Sequence, residues 1–194
     1  MHRIKKLEGN FLIAMPNMGD TRFSRSLILL CAHSSEGAMG FVVNKTLEHP
    51  TAVEFLAQLN IVSADEAGKL PSHLHKMPVR SGGPVEPGRG FILHSPDYST
   101  ASTLQITPKI SLTATLEILR AIATGRGPTK FLLLLGYSGW GGGQLETEIT
   151  ANGWLTSPPD DRLVFAPQDE IKYDLAMRAI GVDPHFLSGE AGHA

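Results

Sequence analysis

The chain has 194 residues, a net charge of -2, 42% hydrophobic residues and 19% charged residues. That balance excludes a disordered chain, leaves room for a sizeable core without disulfides or metal, and gives no basic footprint for nucleic acid. Cys31 is the single cysteine, so no intramolecular disulfide can form and a reducing cytoplasm is the simplest compartment.

The basic residues Arg3, Lys5 and Lys6 read as a solvated tail. The apolar run from Phe11 to Met15 meets Pro16 too soon for a signal-peptide core. No apolar run approaches the roughly 20 residues that span a bilayer.

Phe11 to Met15 predicts a short strand, and Ser26 to Ala32 a second one apolar on both faces. Ser34-Ser35-Glu36-Gly37 is turn chemistry, so the strand Met39 to Asn44 should form a hairpin with the second. Thr51-Ala52-Val53-Glu54 is a capping box and opens a helix to about Asn60. Ile61 to Met77 has weak periodicity and predicts an irregular excursion. Val79 to Ser81 and Gly90 to His94 read as strands joined by a stiff loop holding Gly82, Gly83, Pro84 and Pro87. Leu104 to Thr107 predicts an edge strand before Pro108. Leu112 to Ala123 reads as a helix ended by Gly125.

Phe131 to Leu135 is a buried strand running into a loop with Gly136, Gly139, Gly141, Gly142 and Gly143, followed by a helix from Gln144 to Ala151. Trp154 to Thr156 and Leu163 to Phe165 read as strands, Gln168 to Ile180 as the last helix, and the tail from Asp183 as loosely ordered. A hairpin first and alternating strands and helices later predict an α/β (α+β) fold: a mixed β-sheet sandwiched by helices, in one domain over 1–194, with 61–89 as the place for a small subdomain or flap.

No catalytic set is completed. Gly136-Tyr137-Ser138-Gly139-Trp140 resembles a nucleophile elbow but carries Trp140 where glycine is required. His33, His94 and Asp20 are the residues that could complete a triad. Cys31 and His33 share a strand face, where a thiol in an apolar strand is inert. His73 and His75 flank Leu74 on a loop with no further ligand beside them, so no metal is expected. The glycines before Gln144 could cradle an anion, but no lysine follows them, and Glu146 and Glu148 in the first turns of the helix would repel it.

Taken together, the motifs resemble the YqgE/AlgH family of bacterial proteins over nearly the whole chain. The resemblance rests on Gly9-Asn10-Phe11-Leu12-Ile13-Ala14-Met15-Pro16, Asp20, Arg22-Phe23, Arg25-Ser26, Glu36 to Gly40, Val42-Val43-Asn44, Gly82-Gly83-Pro84-Val85 and Arg89 to His94. It is strongest at Gly136 to Trp140, Gly143 to Glu146 and Asn152 to Leu155. Tyr173 departs from the tryptophan expected there, a matter of packing. The resemblance implies an α/β fold with a mixed sheet sandwiched by helices and no established activity. It also implies alanine as an acceptable residue at Ser138. One branch of the family, linked to alginate production, carries a transcriptional-regulator label.

The expectation is a cytoplasmic protein, monomer or homodimer, with no cofactor, no metal and no catalytic set, acting on a protein partner and touching transcription indirectly. No membrane association and no direct nucleic-acid binding is expected. The alternative is a binder of a small anion, or a hydrolase-like enzyme, using a cleft between residues 20–25, 81–89 and 139–146. Its candidate residues are Asp20, Arg22, Arg25, Arg80, Gly82, Gly83, Arg89, His94, Gly139, Trp140, Gly143, Gln144 and Glu146, with arginine to pair an acidic group.

Overall fold

The computed structural model describes residues 6–187. Arg3 and Lys5 of the basic tail, and the tail beyond Leu187, lie outside the described residues. In chain order the elements are β1 (Phe11–Ala14), β2 (Leu27–Ser34), β3 (Gly37–Val42), β4 (Thr46–Leu47), α1 (Ala52–Gln58), α2 (Ala64–Ala67), α3 (Ser72–His75), β5 (Val79–Ser81), β6 (Val85–His94), β7 (Leu104–Thr107), β8 (Ile110–Thr113), α4 (Leu116–Ala123), β9 (Phe131–Gly141), α5 (Gln144–Thr150), β10 (Trp154–Ser157), α6 (Asp161–Phe165) and α7 (Asp169–Ala179). Strands and helices mix in an α+β fold, as the hairpin-then-alternation pattern implies.

The chain forms two compact units, one of residues up to Lys45 with those from Ser138 onward, the other Thr46–Tyr137. The stretch 61–89 lies inside the second.

In the first unit β10, β1, β2, β3 and the end of β9 pair in that order, all antiparallel. The β2–β3 hairpin forms with Ile28 opposite Val42. Alternation places Leu12, Ala14, Ile28 and Leu30 in one cluster with Trp140, Trp154 and Leu145 of α5. Helix α7 packs against β1 and β2, where Phe11, Ile13, Leu27 and Leu29 are buried. Helices therefore cover both faces of this sheet.

In the second unit β9 runs between β5, parallel to it, and β6, antiparallel to it. β8 and the edge strand β7 follow, so the sheet is mixed. Helices α1, α3 and α4 bury Phe55, Leu56, Leu74, Ile118 and Leu119 with Ile92, Leu133 and Leu135 of the strands. The capping box of α1 closes with Thr51 and Glu54 each accepting from the other's backbone N–H.

Five expectations are corrected. The glycine segment from Gly136 to Gly141 is the second half of β9 rather than a loop, because Val85 of β6 pairs with Tyr137 and Gly37 to Gly40 of β3 pair with Gly141 to Ser138. Gly136 sits at φ 72°, and a Cβ there would meet the Gly83 carbonyl oxygen at 2.5 Å, so only glycine fits. Ile110–Thr113 is a strand, since Ser111 to Thr113 pair with β6 and Ile110 with β7, and α4 starts only at Leu116. Leu163 to Phe165 belongs to a helix capped by Asp160, whose carboxylate accepts from the Arg162 N–H at 3.0 Å. Residues 61–77 contain two one-turn helices, and α2 carries its own capping box, Ser63 with Glu66; α3 holds His73 and His75. The stiff connection ends at Val85, where β6 begins with an irregularity before Gly90.

Candidate functional site

The strongest block of the sequence becomes a closed hydrogen-bonded cluster in the first unit. Gly143, at φ 75°, turns the chain from β9 into α5. Helix periodicity then sets Gln144 and Glu148 one turn apart, with Gln144 Nε2 donating to Glu148 Oε1 at 2.9 Å. Gln144 Oε1 accepts the Gly141 backbone N–H at 3.0 Å, so an amide that could have faced an anion is already satisfied. Glu148 Oε2 accepts both indole N–H groups, from Trp140 at 2.9 Å and Trp154 at 2.8 Å. The two rings meet edge to face with centroids 5.9 Å apart, and Phe23 stacks on Trp140 at 6.5 Å. Residues 20–25 and 139–146 thus come together through Phe23 and Trp140, while Gly139 stands opposite Met39 in the strand pair.

Beside this cluster His33, buried, accepts the Leu7 backbone N–H on Nδ1 at 3.2 Å. Its Nε2 therefore carries the proton and donates to Glu146 Oε1 at 2.8 Å. Glu146 is held below the usual carboxylate range, first by its backbone hydrogen bond and then by His33.

The arginines are engaged. Arg22 lies on Asp20 at 2.6 Å, and this hydrogen bond lowers the Asp20 carboxyl; the same carboxylate caps the 3-10 turn Thr21–Phe23. Arg25, at φ 53°, reaches Asp174 at 2.6 Å and lies 4.5 Å over the Tyr173 ring. The Tyr173 hydroxyl donates to the Ala14 carbonyl at 2.6 Å.

In the second unit Arg80 is buried within β5. The Gly82 N–H donates to the Leu135 carbonyl at 2.8 Å, and Gly83 presses on Gly136. Arg89 covers the Phe91 ring at 4.9 Å and reaches Glu86 at 3.3 Å. His94 is fully buried; its Nδ1 donates to the Ser95 carbonyl and its Nε2 accepts from Thr113, each at 2.8 Å. Burial holds its pKa below the ordinary histidine value.

The triad candidates are each committed elsewhere: Asp20 to Arg22, His33 to Glu146, His94 to Thr113. Ser138 is fully buried, and burial pushes the Cys31 thiol up, which makes it unreactive. Among the described residues no group of three or more His, Cys, Asp or Glu could hold a metal ion. No helix among them is long and apolar enough to cross a membrane.

Sequence reasoning missed Glu148 as the acceptor of two indoles. The available signal was indirect: a buried tryptophan needs an acceptor, and Glu148 follows Gln144 by one helical turn.

One carboxylate between two tryptophans thus seals the β9–α5 turn, on an antiparallel sheet covered by helices on both faces. The family model described as AlgH-like matches residues 11–185. The chain belongs to this AlgH-like family. A UPF0301 protein of Methylobacterium sp. (strain 4-46) is 56% identical over 189 residues, covering 97% of this chain and 90% of the relative. One from Rhizobium meliloti is 50% identical over 197 residues, covering 100% and 98%. The solution structure of the AlgH protein from Pseudomonas aeruginosa matches with a TM-score of 0.79 at 37% identity, covering 100% of this chain and 99% of that one. A Corynebacterium diphtheriae crystal structure shares the fold at TM-score 0.70 and 19% identity, covering 97% and 94%.

Proposed function

We propose that this protein is non-enzymatic and acts in the cytoplasm through a protein partner, in a regulatory role that touches transcription indirectly. The observation that carries this reading is the closure of the signature on itself. Glu148 is held by two indoles and Gln144, and Glu146 by His33. The carboxylates of both residues are taken up by these internal bonds, so the block supports shape rather than contact with a substrate. Ile171 and Leu175 lie exposed one turn apart on α7, and Leu175 lines a groove of about 410 Å³ together with Pro158, Leu163 and Ala166. Exposed apolar residues rimming a groove suit protein contact.

The reading as a binder of a small anion using residues 20–25, 81–89 and 139–146 has less support, because Arg22, Arg25 and Arg89 already face Asp20, Asp174 and Glu86.

The test is a turnover panel of esters, phosphoesters and nucleotides, run beside a titration of random duplex DNA at low salt. Neither turnover nor salt-dependent DNA binding is expected. Turnover abolished by Ser138→Ala or His94→Ala would overturn the non-enzymatic role, and salt-dependent duplex binding would overturn the indirect one.

A further inference from the structure

His33 reaches its place through an irregularity in β2. The register between β2 and β3 shifts between Leu30 and Ala32, so that Leu30 stands opposite Gly40 and His33 opposite Ala38. Cross-strand partners share a sheet face, and Gly40 and Ala38 lie two residues apart, so His33 shares the face of Leu30. Strict alternation would have set it with Leu27 and Leu29 instead. The bulge thus aims the imidazole at α5, where its side chain is 1% exposed.

Only one neutral form of the ring fits there, with Nδ1 accepting the Leu7 N–H at 3.2 Å and Nε2–H donating to Glu146 at 2.8 Å. The other tautomer would set N–H against N–H at Leu7 and a lone pair against the carboxylate. An imidazolium donates from both nitrogens, so it keeps Glu146 as an ion pair and loses Leu7, whose N–H then faces a second N–H. The Leu7 side of the contact is the one able to yield. Leu7, 9% exposed, packs in the cluster of Leu30, Val42 and Leu145. Gly9, at φ 83°, stands between it and the anchored chain, where the Gly9 N–H donates to the Leu30 carbonyl at 2.7 Å and the Leu30 N–H to the Asn10 carbonyl at 2.9 Å. The titratable groups around the ring are Lys6 and Glu8 flanking Leu7, Glu146 and Glu148 on α5, Glu36 in the β2–β3 turn and buried Cys31 on β2. Opposite it β3 and β9 bring Ala38 and Trp140, which do not titrate.

We infer that His33 is an acid-operated latch on the segment before Gly9. A proton arriving at Nδ1 expels the Leu7 N–H, residues 6–8 swing about Gly9, and Leu7 leaves the apolar cluster. The imidazolium stays paired with Glu146, so β2 and α5 remain joined and the opening is local. It bares part of the cluster around Leu30 and Leu145 on the first unit. The latch goes beyond the protein-partner role and stands or falls separately from it.

The test follows the His33 ring and the Leu7 backbone amide of the full-length protein by NMR from about pH 8 to about pH 5, the span in which histidine changes charge. The two signals are expected to move with one midpoint. Over the same step amide exchange at Leu7, corrected for its intrinsic pH dependence, should accelerate by at least about tenfold while Leu30 stays protected. Glu146→Gln keeps an acceptor for Nε2–H but removes the ion pair, so both midpoints should move to lower pH together. His33→Asn offers an amide oxygen in place of Nδ1 and cannot take a charge, so the Leu7 response should vanish. A Leu7 amide that stays fixed while His33 titrates, a His33 ring that does not titrate before the protein unfolds, or a Leu7 response that survives in His33→Asn would each overturn the proposal.

Discussion

At the scale of single residues, Glu148 decides how the two tryptophans sit. Trp154 is 1% exposed and Trp140 7%, so their N–H groups have no easy route to water. Glu148→Ala strands both donors, and each buried unsatisfied group costs roughly 1–3 kcal/mol. The expected loss is about 2–5 kcal/mol in a urea unfolding curve, with a red shift of tryptophan emission in the folded baseline. Glu148→Gln, which keeps an amide oxygen, should lose less. A Glu148→Ala loss below about 0.5 kcal/mol, the size of an ordinary surface substitution, would show that the carboxylate does not hold the indoles. Trp140 stood out in the sequence as part of its strongest motif block. Glu148 did not, because its two partners come from different strands and only folding brings them to one carboxylate.

At the scale of elements, α7 shows what hydropathy conceals. Ile171 and Leu175 look like a buried stripe but are exposed, while Asp169, Lys172, Tyr173, Ala176 and Met177 form the buried one. The helical spacing of that stripe is regular; its residues are partly charged, so apolar counting selects the wrong face. Lys172 is fully buried and bonds to the Val43 carbonyl at 3.1 Å, the Val164 carbonyl at 2.9 Å and the Asp169 carboxylate at 2.9 Å. It thereby ties α7 to the end of β3 and to α6. Breaking a buried ion pair by removing one partner costs about 3–5 kcal/mol, the loss expected for Lys172→Met in chemical unfolding. Lys172→Met with Asp169→Leu should cost less than the sum of the single changes, because the second removes the stranded charge. Strict additivity would show that the pair is not coupled. Elements with clear local chemistry, such as the α1 capping box and the buried half of β9, were legible in advance. Those decided by a distant partner were not: β8 is a strand because β6 lies beside it, and Ser138 to Gly141 are extended because β3 pairs with them.

At the scale of the whole molecule, the long-range pairings explain why topology was harder to read than elements. β1 pairs with β10, placing Ile13 opposite Leu155, and no local signal announces a partner so far along the chain. The same scale governs the response to acid. Asp20, Glu54, Glu66, Asp97, Glu146 and Asp160 all have carboxyls lowered by hydrogen bonds to neighbouring groups. Asp97, which accepts from Ser95 and Thr129, lies lowest at about 2. A group with a depressed folded-state pKa binds fewer protons folded than unfolded, so its stabilisation is present above the unfolded value and lost as pH falls through the folded one. Buried His94, also lowered, acts in the same direction, beginning near its unfolded value of about 6.5. Exposed His49 is raised by Glu54, which opposes it. The urea midpoint should therefore start to fall below about pH 6.5 and steepen below about pH 4.5, where the unfolded carboxylates begin to titrate. Asp97→Asn tests the assignment. It should lower the midpoint at neutral pH, and its gap from the wild type should narrow as pH falls from about 4 toward 2, when the wild-type carboxylate is itself protonated. A gap that stayed constant over that window would mean that the hydrogen bonds to Ser95 and Thr129 do not favour the charged carboxylate.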